Sequence, residues 1–308
     1  MASPVVAVEP AAEPGLVEAV QAGGGRVGDA TGADAIVWTN PRDPEGLAGL
    51  LAESPARWVQ LPFAGIERFV RSGVVDDARV WTCTKGVYGP ACAEHALALM
   101  LAASRCLQQH ARARSWRRGG FGTPERRMAG STVLIVGTGG IGRSLVPLLR
   151  PLGVAAIGVN RSGRPLAGAG RTVASEHLDE VLGEADYVVV AAALTQETEK
   201  MFSSPQFEAM RVDAWLVNVA RGGLVDTDDL VEALKSGSIG GAALDVTDPE
   251  PLPDGHPLWD LDNVLITPHV ANTWDMGLPE LGAIVERNVR HFAAGEPLEG
   301  VVDPALGY

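Results

Sequence analysis

The hydrophobic positions of this chain follow two alternating spacings. Short unbroken apolar runs, as in strands buried on both faces, are separated by stretches whose apolar residues recur every three or four positions, as in helices that cover a sheet. In the first third, the runs at 5–8, 35–38, 58–61 and 79–83 predict strands, and 15–22, 44–51 and 66–71 predict helices. Strand and helix in regular alternation imply parallel strands joined by crossover helices. Residues 94–112 carry apolar side chains at nearly every turn with no internal Gly or Pro, which predicts one long helix placed to bridge two domains.

From residue 131 the alternation restarts more clearly. Continuous apolar runs at 132–136, 154–159, 187–191, 214–219, 241–245 and 263–266 predict buried strands, with helices over 141–149, 176–182, 204–210 and 227–235. Asp226 is placed to cap the last of these helices and Gly237 to stop it. Such strands in sequence predict a doubly wound parallel sheet. The fold class expected is therefore α/β, with two parallel-sheet units and no repeat or long linker between them.

Composition narrows the class. The 308 residues are 46% hydrophobic and 20% charged, an ordinary globular balance with length for about two domains. No apolar run approaches the roughly 18 residues of a membrane span, and the stretch from Met1 to Pro10 lacks the basic flank of a secretory signal, so a cytoplasmic protein is expected. Cys83, Cys92 and Cys106 form no CxxC pair, which suits a reducing compartment, offers no metal site and predicts three small buried side chains. A net charge of −13 disfavours nucleic acid and anionic membranes as partners. One region reverses that sign. Between Arg126 and Ser175 there is no Asp or Glu, while Arg126, Arg127, Arg143, Arg150, Arg161, Arg164 and Arg171 are present, a setting for an anionic ligand.

Gly137-Thr138-Gly139-Gly140-Ile141-Gly142 fits G-x-G-x-x-G between a predicted strand and a predicted helix. A chain that must turn tightly, admit a pyrophosphate to its backbone and pack helix on strand needs missing Cβ atoms at that spacing, so this is read as a dinucleotide site. The second strand of the unit ends at Asn160-Arg161-Ser162, with Arg164 close behind, where an acidic residue would take the ribose hydroxyls of NAD. Arginine and a hydroxyl suit a 2′-phosphate, and NADP(H) is expected over NAD(H). Three further residues follow apolar runs along one edge of the expected sheet: Arg221, Glu250 and His269. Histidine exchanges protons near neutral pH, a carboxylate orients it, and arginine grips a substrate carboxylate, which together suit hydride transfer at a carbon beside a carboxylate. His95, His110, His177, His256 and His291 lack this setting and are left as surface or core residues.

With these residues in view, the chain resembles the D-isomer-specific 2-hydroxyacid dehydrogenases, the family of glyoxylate/hydroxypyruvate reductases and phosphoglycerate dehydrogenases. The likeness runs through WVQLPFAGIE (58–67), AEHALALML (93–101), the GTGGIG loop, and VNVARGGLVD, GAALDV, EPLP and NVLITPH within 214–269. It implies Arg221 as carboxylate binder, His269 as acid/base and Glu250 as its partner. It also implies that Asp245 contacts the nicotinamide amide, that Gly140, Ile141, Asn160 and the backbone of Val219 and Ala220 meet the cofactor, and that the amides of Ala64 and Gly65 help hold the substrate carboxylate. The fold implied is a Rossmann-type cofactor domain over 90–274 and a smaller flavodoxin-like substrate domain over 1–89 and 275–308, usually dimeric through the cofactor domain. No regulatory domain of the kind many phosphoglycerate dehydrogenases carry is expected, and Glu250 stands where formate dehydrogenases carry glutamine. Ala193-Leu194-Thr195 lacks the family's frequent proline, Thr247 replaces a frequent aromatic, and Trp274 stands where small residues are common, either against the substrate pocket or in domain packing. The expected function is reduction of glyoxylate or hydroxypyruvate with NADPH by a homodimer, acting on a small-molecule 2-keto or 2-hydroxy acid. The alternatives are a dinucleotide-sensing interaction protein of the co-repressor kind, or a phosphoglycerate dehydrogenase without the regulatory domain.

Overall fold

A computed structural model describes residues 3–116 and 124–303. The outermost residues of the ranges 1–89 and 275–308 therefore lie outside the described part. The chain divides into two units, Met1–Tyr88 with Thr273–Tyr308, and Gly89–Asn272.

The first unit runs β1 (Val5–Glu9), α1 (Pro14–Ala22), β2 (Arg26–Val27), β3 (Ala35–Trp38), α2 (Pro44–Ala52), β4 (Trp58–Gln60), α3 (Glu67–Arg71) and β5 (Val80–Thr82). Its sheet is parallel throughout, in the order β2-β1-β3-β4-β5, the flavodoxin-like winding. Alternate residues feed opposite faces. Val6, Val8, Ala35, Val37 and Trp58 pack on one side, and Ala7, Ile36, Trp38 and Val59 on the other. β2 goes unnoticed in the sequence because both its residues are exposed and it spans only two positions.

The second unit opens with α4 (Gly89–Ser104) and α5 (Leu107–Arg112), then β6 (Thr132–Val136), α6 (Gly140–Leu149), β7 (Ala155–Asn160), β8 (Arg171–Ala174), α7 (Leu178–Leu182), β9 (Tyr187–Val190), α8 (Ser204–Ala209), β10 (Trp215–Asn218), α9 (Thr227–Ser236), β11 (Gly241–Leu244) and β12 (Val264–Ile266). The chain then closes on α10 (Trp274–Ala294), which returns to the first unit and packs on α1 through Leu281, Ile284, Val285 and Val289. The sheet of the second unit is seven-stranded and parallel, ordered β12-β11-β10-β9-β6-β7-β8. Winding outward both ways from β6 is the Rossmann arrangement, and the order reverses between β6 and β9.

Three expectations change here. The sheet has β8 beyond the predicted strands: at the edge it needs no continuous apolar run, and Arg171 and Thr172 break the pattern. The helix expected over 94–112 is two, both inside the second unit, separated where buried Cys106 takes a left-handed conformation (φ 50°). No Gly marks that break, because a buried non-glycine residue holds it. Cys83 and Cys106 are buried as expected, but Cys92 is only half-buried.

Candidate active site

The glycine loop has the shape its spacing predicts. Gly137 leaves β6 at φ +104°, and a Cβ there would lie 2.4 Å from the backbone of Ala191. A Cβ on Gly142 would lie 2.6 Å from the carbonyl oxygen of Gly137, so the helix can sit this close to the strand only without one. Gly139, at the N-cap of α6, faces open space. The amides of Gly140, Ile141 and Gly142 have no intrahelical acceptor, and the first turn carries no acid, so this end of α6 suits a pyrophosphate.

Asn160 ends β7 and ties two loops together. Its Nδ2 donates to Thr138 Oγ1 (2.9 Å) and to the Arg164 carbonyl (2.8 Å), while Oδ1 accepts from the amides of Ser162 (3.2 Å) and Arg164 (3.1 Å). The loop bearing Arg161, Ser162 and Arg164 is thereby fixed against the glycine loop, with those three residues exposed. Two arginines of the basic stretch are spent elsewhere: Arg126 pairs with Asp213 at 3.1 Å and Arg171 with Glu184. The charge left to attract an anion is smaller than the sequence suggests.

The catalytic candidates stand at the carboxyl ends of the adjacent strands β10, β11 and β12. Arg221 follows β10 by a turn that the fully buried Asn218 clamps, its Oδ1 accepting from the Ala220 amide (3.1 Å) and its Nδ2 donating to the Arg221 carbonyl (2.9 Å). Val219 and Ala220 are buried in that turn. The Arg221 guanidinium donates back to the Ala220 carbonyl (2.6 Å). The next residue, Gly222, lies so close to the loop after β11 that a Cβ would meet the Thr247 carbonyl at 2.0 Å. From that loop Glu250 reaches His269, with Oε1 2.7 Å from Nδ1. A carboxylate on Nδ1 assigns that nitrogen its proton and leaves Nε2 for exchange with a substrate. Both side chains are partly open, 45% for His269 and 42% for Glu250, so a small molecule has access to the pair.

Asp245 is buried at the end of β11 and organises the segment that carries His269. Its carbonyl accepts the His269 amide (2.7 Å), its Oδ1 accepts from the Val270 amide (2.9 Å) and the Thr267 hydroxyl (2.6 Å), and its Oδ2 accepts from the Ala271 amide (3.0 Å). Within this frame His269 adopts φ +54°. Burial pushes the Asp245 carboxyl up, but hydrogen bonds from His95, Thr267 and the two amides outweigh it and hold the group at about 2. His95, set aside in the sequence, lies here on α4 with Nε2 2.9 Å from Thr267 Oγ1 and 3.2 Å from Asp245 Oδ1. Cys92, one turn earlier, is pushed up to about 11 by burial and next by the charge of Asp245. Asn218, Thr267 and His95 are the residues that sequence reasoning missed. All three lie inside the quoted motifs, Asn218 in VNVARGGLVD, Thr267 in NVLITPH and His95 in AEHALALML, but the spacing of His95 gives no sign of the strand end it meets.

In the first unit, the 62–66 loop after β4 is anchored at Pro62, whose carbonyl accepts from the Tyr88 hydroxyl (2.7 Å) and the Thr84 hydroxyl (3.3 Å). Ala64 and Gly65 follow, with Ala64 exposed. Phe63 packs edge-on against Tyr88 and against Trp274, at centroid distances of 5.8 and 6.0 Å. Trp274 thus has a packing partner inside its own unit.

Comparison with known proteins gives a consistent result. Residues 97–271 match the family model for the D-isomer specific 2-hydroxyacid dehydrogenase, NAD binding domain. The chain is 42% identical over 300 residues to the "Uncharacterized protein in proB 3'region" of Corynebacterium melassecola, covering 94% of this chain and 95% of that one. Among solved structures, the D-isomer specific 2-hydroxyacid dehydrogenase of Xanthobacter autotrophicus Py2, in complex with NADPH and MES, superposes with a TM-score of 0.85 at 29% identity over the whole of both chains. The NADPH-dependent glyoxylate/hydroxypyruvate reductase of Sinorhizobium meliloti, in complex with NADP and sulfate, does so with a TM-score of 0.80, also at 29% identity and full coverage of both. With its family-model match over the Rossmann unit and these full-length likenesses, the chain belongs to the NAD(P)-dependent D-isomer-specific 2-hydroxyacid dehydrogenases.

Proposed function

We propose that this enzyme reduces a small 2-keto acid, glyoxylate or hydroxypyruvate first among them, to the D-2-hydroxy acid with NADPH. The observation that carries the reading is the 2.7 Å Glu250–His269 pair at the strand ends where Arg221 also stands. Arg221 binds the substrate carboxylate, and on the family resemblance the amides of Ala64 and Gly65 are assigned to the same group. A nicotinamide held at these strand ends would supply the hydride to C2. His269 gives its Nε2 proton to the carbonyl oxygen, while Glu250 holds the ring through Nδ1.

For the cofactor, Gly137, Gly139, Gly140, Ile141 and Gly142 form the pyrophosphate cradle, Asp245 and the backbone of Val219 and Ala220 serve the nicotinamide end, and Asn160, Arg161 and Ser162 the adenosine end. The fixed, acid-free loop at 161–164 supports NADPH over NADH, as do the two structural relatives bound to NADP(H). A homodimer is proposed on the family resemblance, and the cytoplasm on the cysteine spacing, which suits a reducing compartment. The test is a keto-acid panel with NADPH and NADH in parallel. Oxidation of NADPH by glyoxylate or hydroxypyruvate is expected, and no turnover with any 2-keto acid would sink the assignment. His269→Asn is expected to lower kcat by about 100- to 10,000-fold while NADPH still binds, as followed by nicotinamide fluorescence.

A further inference from the structure

We propose that His95 is a positioning residue of this enzyme, fixing the backbone that presents His269 through hydrogen bonds to Thr267 and Asp245. The inference deepens the proposed reaction and rests on His269 as its acid/base.

The proton inventory sets the direction of each bond. Thr267 has one hydroxyl proton, which it donates to Asp245 Oδ1 at 2.6 Å. Its oxygen can then only accept from His95 Nε2 at 2.9 Å, so Nε2 carries a hydrogen, and the same hydrogen faces Asp245 Oδ1 at 3.2 Å. His95 is thus a donor, and its ring is held in one tautomer.

The arrangement has a purpose that packing alone does not require. Asp245 gathers the amides of His269, Val270 and Ala271, and these three contacts hold His269 at φ +54°, a conformation in which a non-glycine residue persists only when its surroundings over-determine it. Thr267 and the amides of Val270 and Ala271 all come from the segment being held. Among the described residues, His95 is the donor to this carboxylate that comes from another element, so it ties the segment to α4. Without it the carboxylate is free to turn, and the His269 ring follows its backbone.

The test compares His95→Leu and His95→Gln with the parent, since the amide of glutamine reaches the place of Nε2 and leucine offers no donor. His95→Leu is expected to lose kcat by about 10- to 100-fold, the range for a slight misplacement of a reacting group, with a much smaller change in NADPH affinity. His95→Gln is expected to recover most of that loss. The double variant His95→Leu/Thr267→Val is expected to be no worse than the poorer single one, because both break the same chain of bonds. Histidine-ring NMR of the ligand-free protein gives a readout besides turnover: the His269 signals, assigned by their loss in His269→Asn, are expected to shift in His95→Leu and return in His95→Gln. Unmoved His269 signals, an undiminished kcat per folded molecule in His95→Leu, or a glutamine variant no better than leucine would overturn the inference. A parent chain without turnover would instead defeat the proposed reaction, and the ring signals would still decide the role of His95.

Discussion

Asp245 shows how a single carboxylate can link stability to pH. Burial disfavours its charge, yet four donors keep it ionised, with the folded group at about 2 against an ordinary value of about 4. A depressed folded value means that the stabilisation is present above about pH 4 and is lost as pH falls toward 2. Urea denaturation at pH 5 and at pH 2 is expected to show a loss of about 2 kcal/mol from this group, and Asp245→Asn to flatten that part of the profile. Cys92 makes the opposite case: held as a neutral thiol up to about pH 11, it is expected to react with iodoacetamide at pH 7.5 far more slowly than a free cysteine. At this scale the sequence was informative where chemistry and position coincide. Arg221, Glu250 and His269 each follow an apolar run, so their shared edge was readable, and Glu250 does meet His269. His95 was not readable, because a helical residue far upstream carries no mark of the strand end it will face.

At the scale of elements, the glycine loop and the loop after β7 carry the cofactor predictions. Gly137→Ala combines a positive φ with a Cβ driven into the Ala191 backbone, and is expected to destabilise the second unit by more than about 2 kcal/mol, read as a fall in Tm, and to abolish NADPH binding. Arg161→Ala and Arg164→Ala are expected to raise KM for NADPH by about tenfold each and to leave that for NADH nearly unchanged, since each removes a charge proposed to meet the 2′-phosphate. The strands with continuous apolar runs were legible because burial on both faces demands such runs. β2 and β8 were not, since an edge strand is free to be polar, and neither was the break at Cys106, where tertiary packing fixes a backbone turn that no local residue announces.

For the whole molecule, two parallel sheets were foreseeable from one alternation repeated twice, and the flavodoxin-like and Rossmann-type windings implied by the family resemblance are the orders found. A net charge of −13 accompanies an acid-free stretch from Arg126 to Ser175 with seven arginines, so the chain separates its overall acidity from the segment proposed to receive the cofactor. The proposed homodimer is expected to sediment at twice the 32.2 kDa of one chain, and a monomeric mass would refute it. The side-by-side placement of β10, β11 and β12 carries a lesson for engineering. Because lateral hydrogen bonds between neighbouring strands, spaced by about 4.8 Å, set where the strand ends stand, the far parts of the crossovers, away from the Arg221 turn and from the Thr247–Glu250 loop packed on it, can be lengthened without moving Arg221, Asp245 and His269. One residue inserted inside 241–244 would instead turn Asp245 to the opposite side of the sheet and dismantle the site, so grafts belong in those far parts and never in the strands.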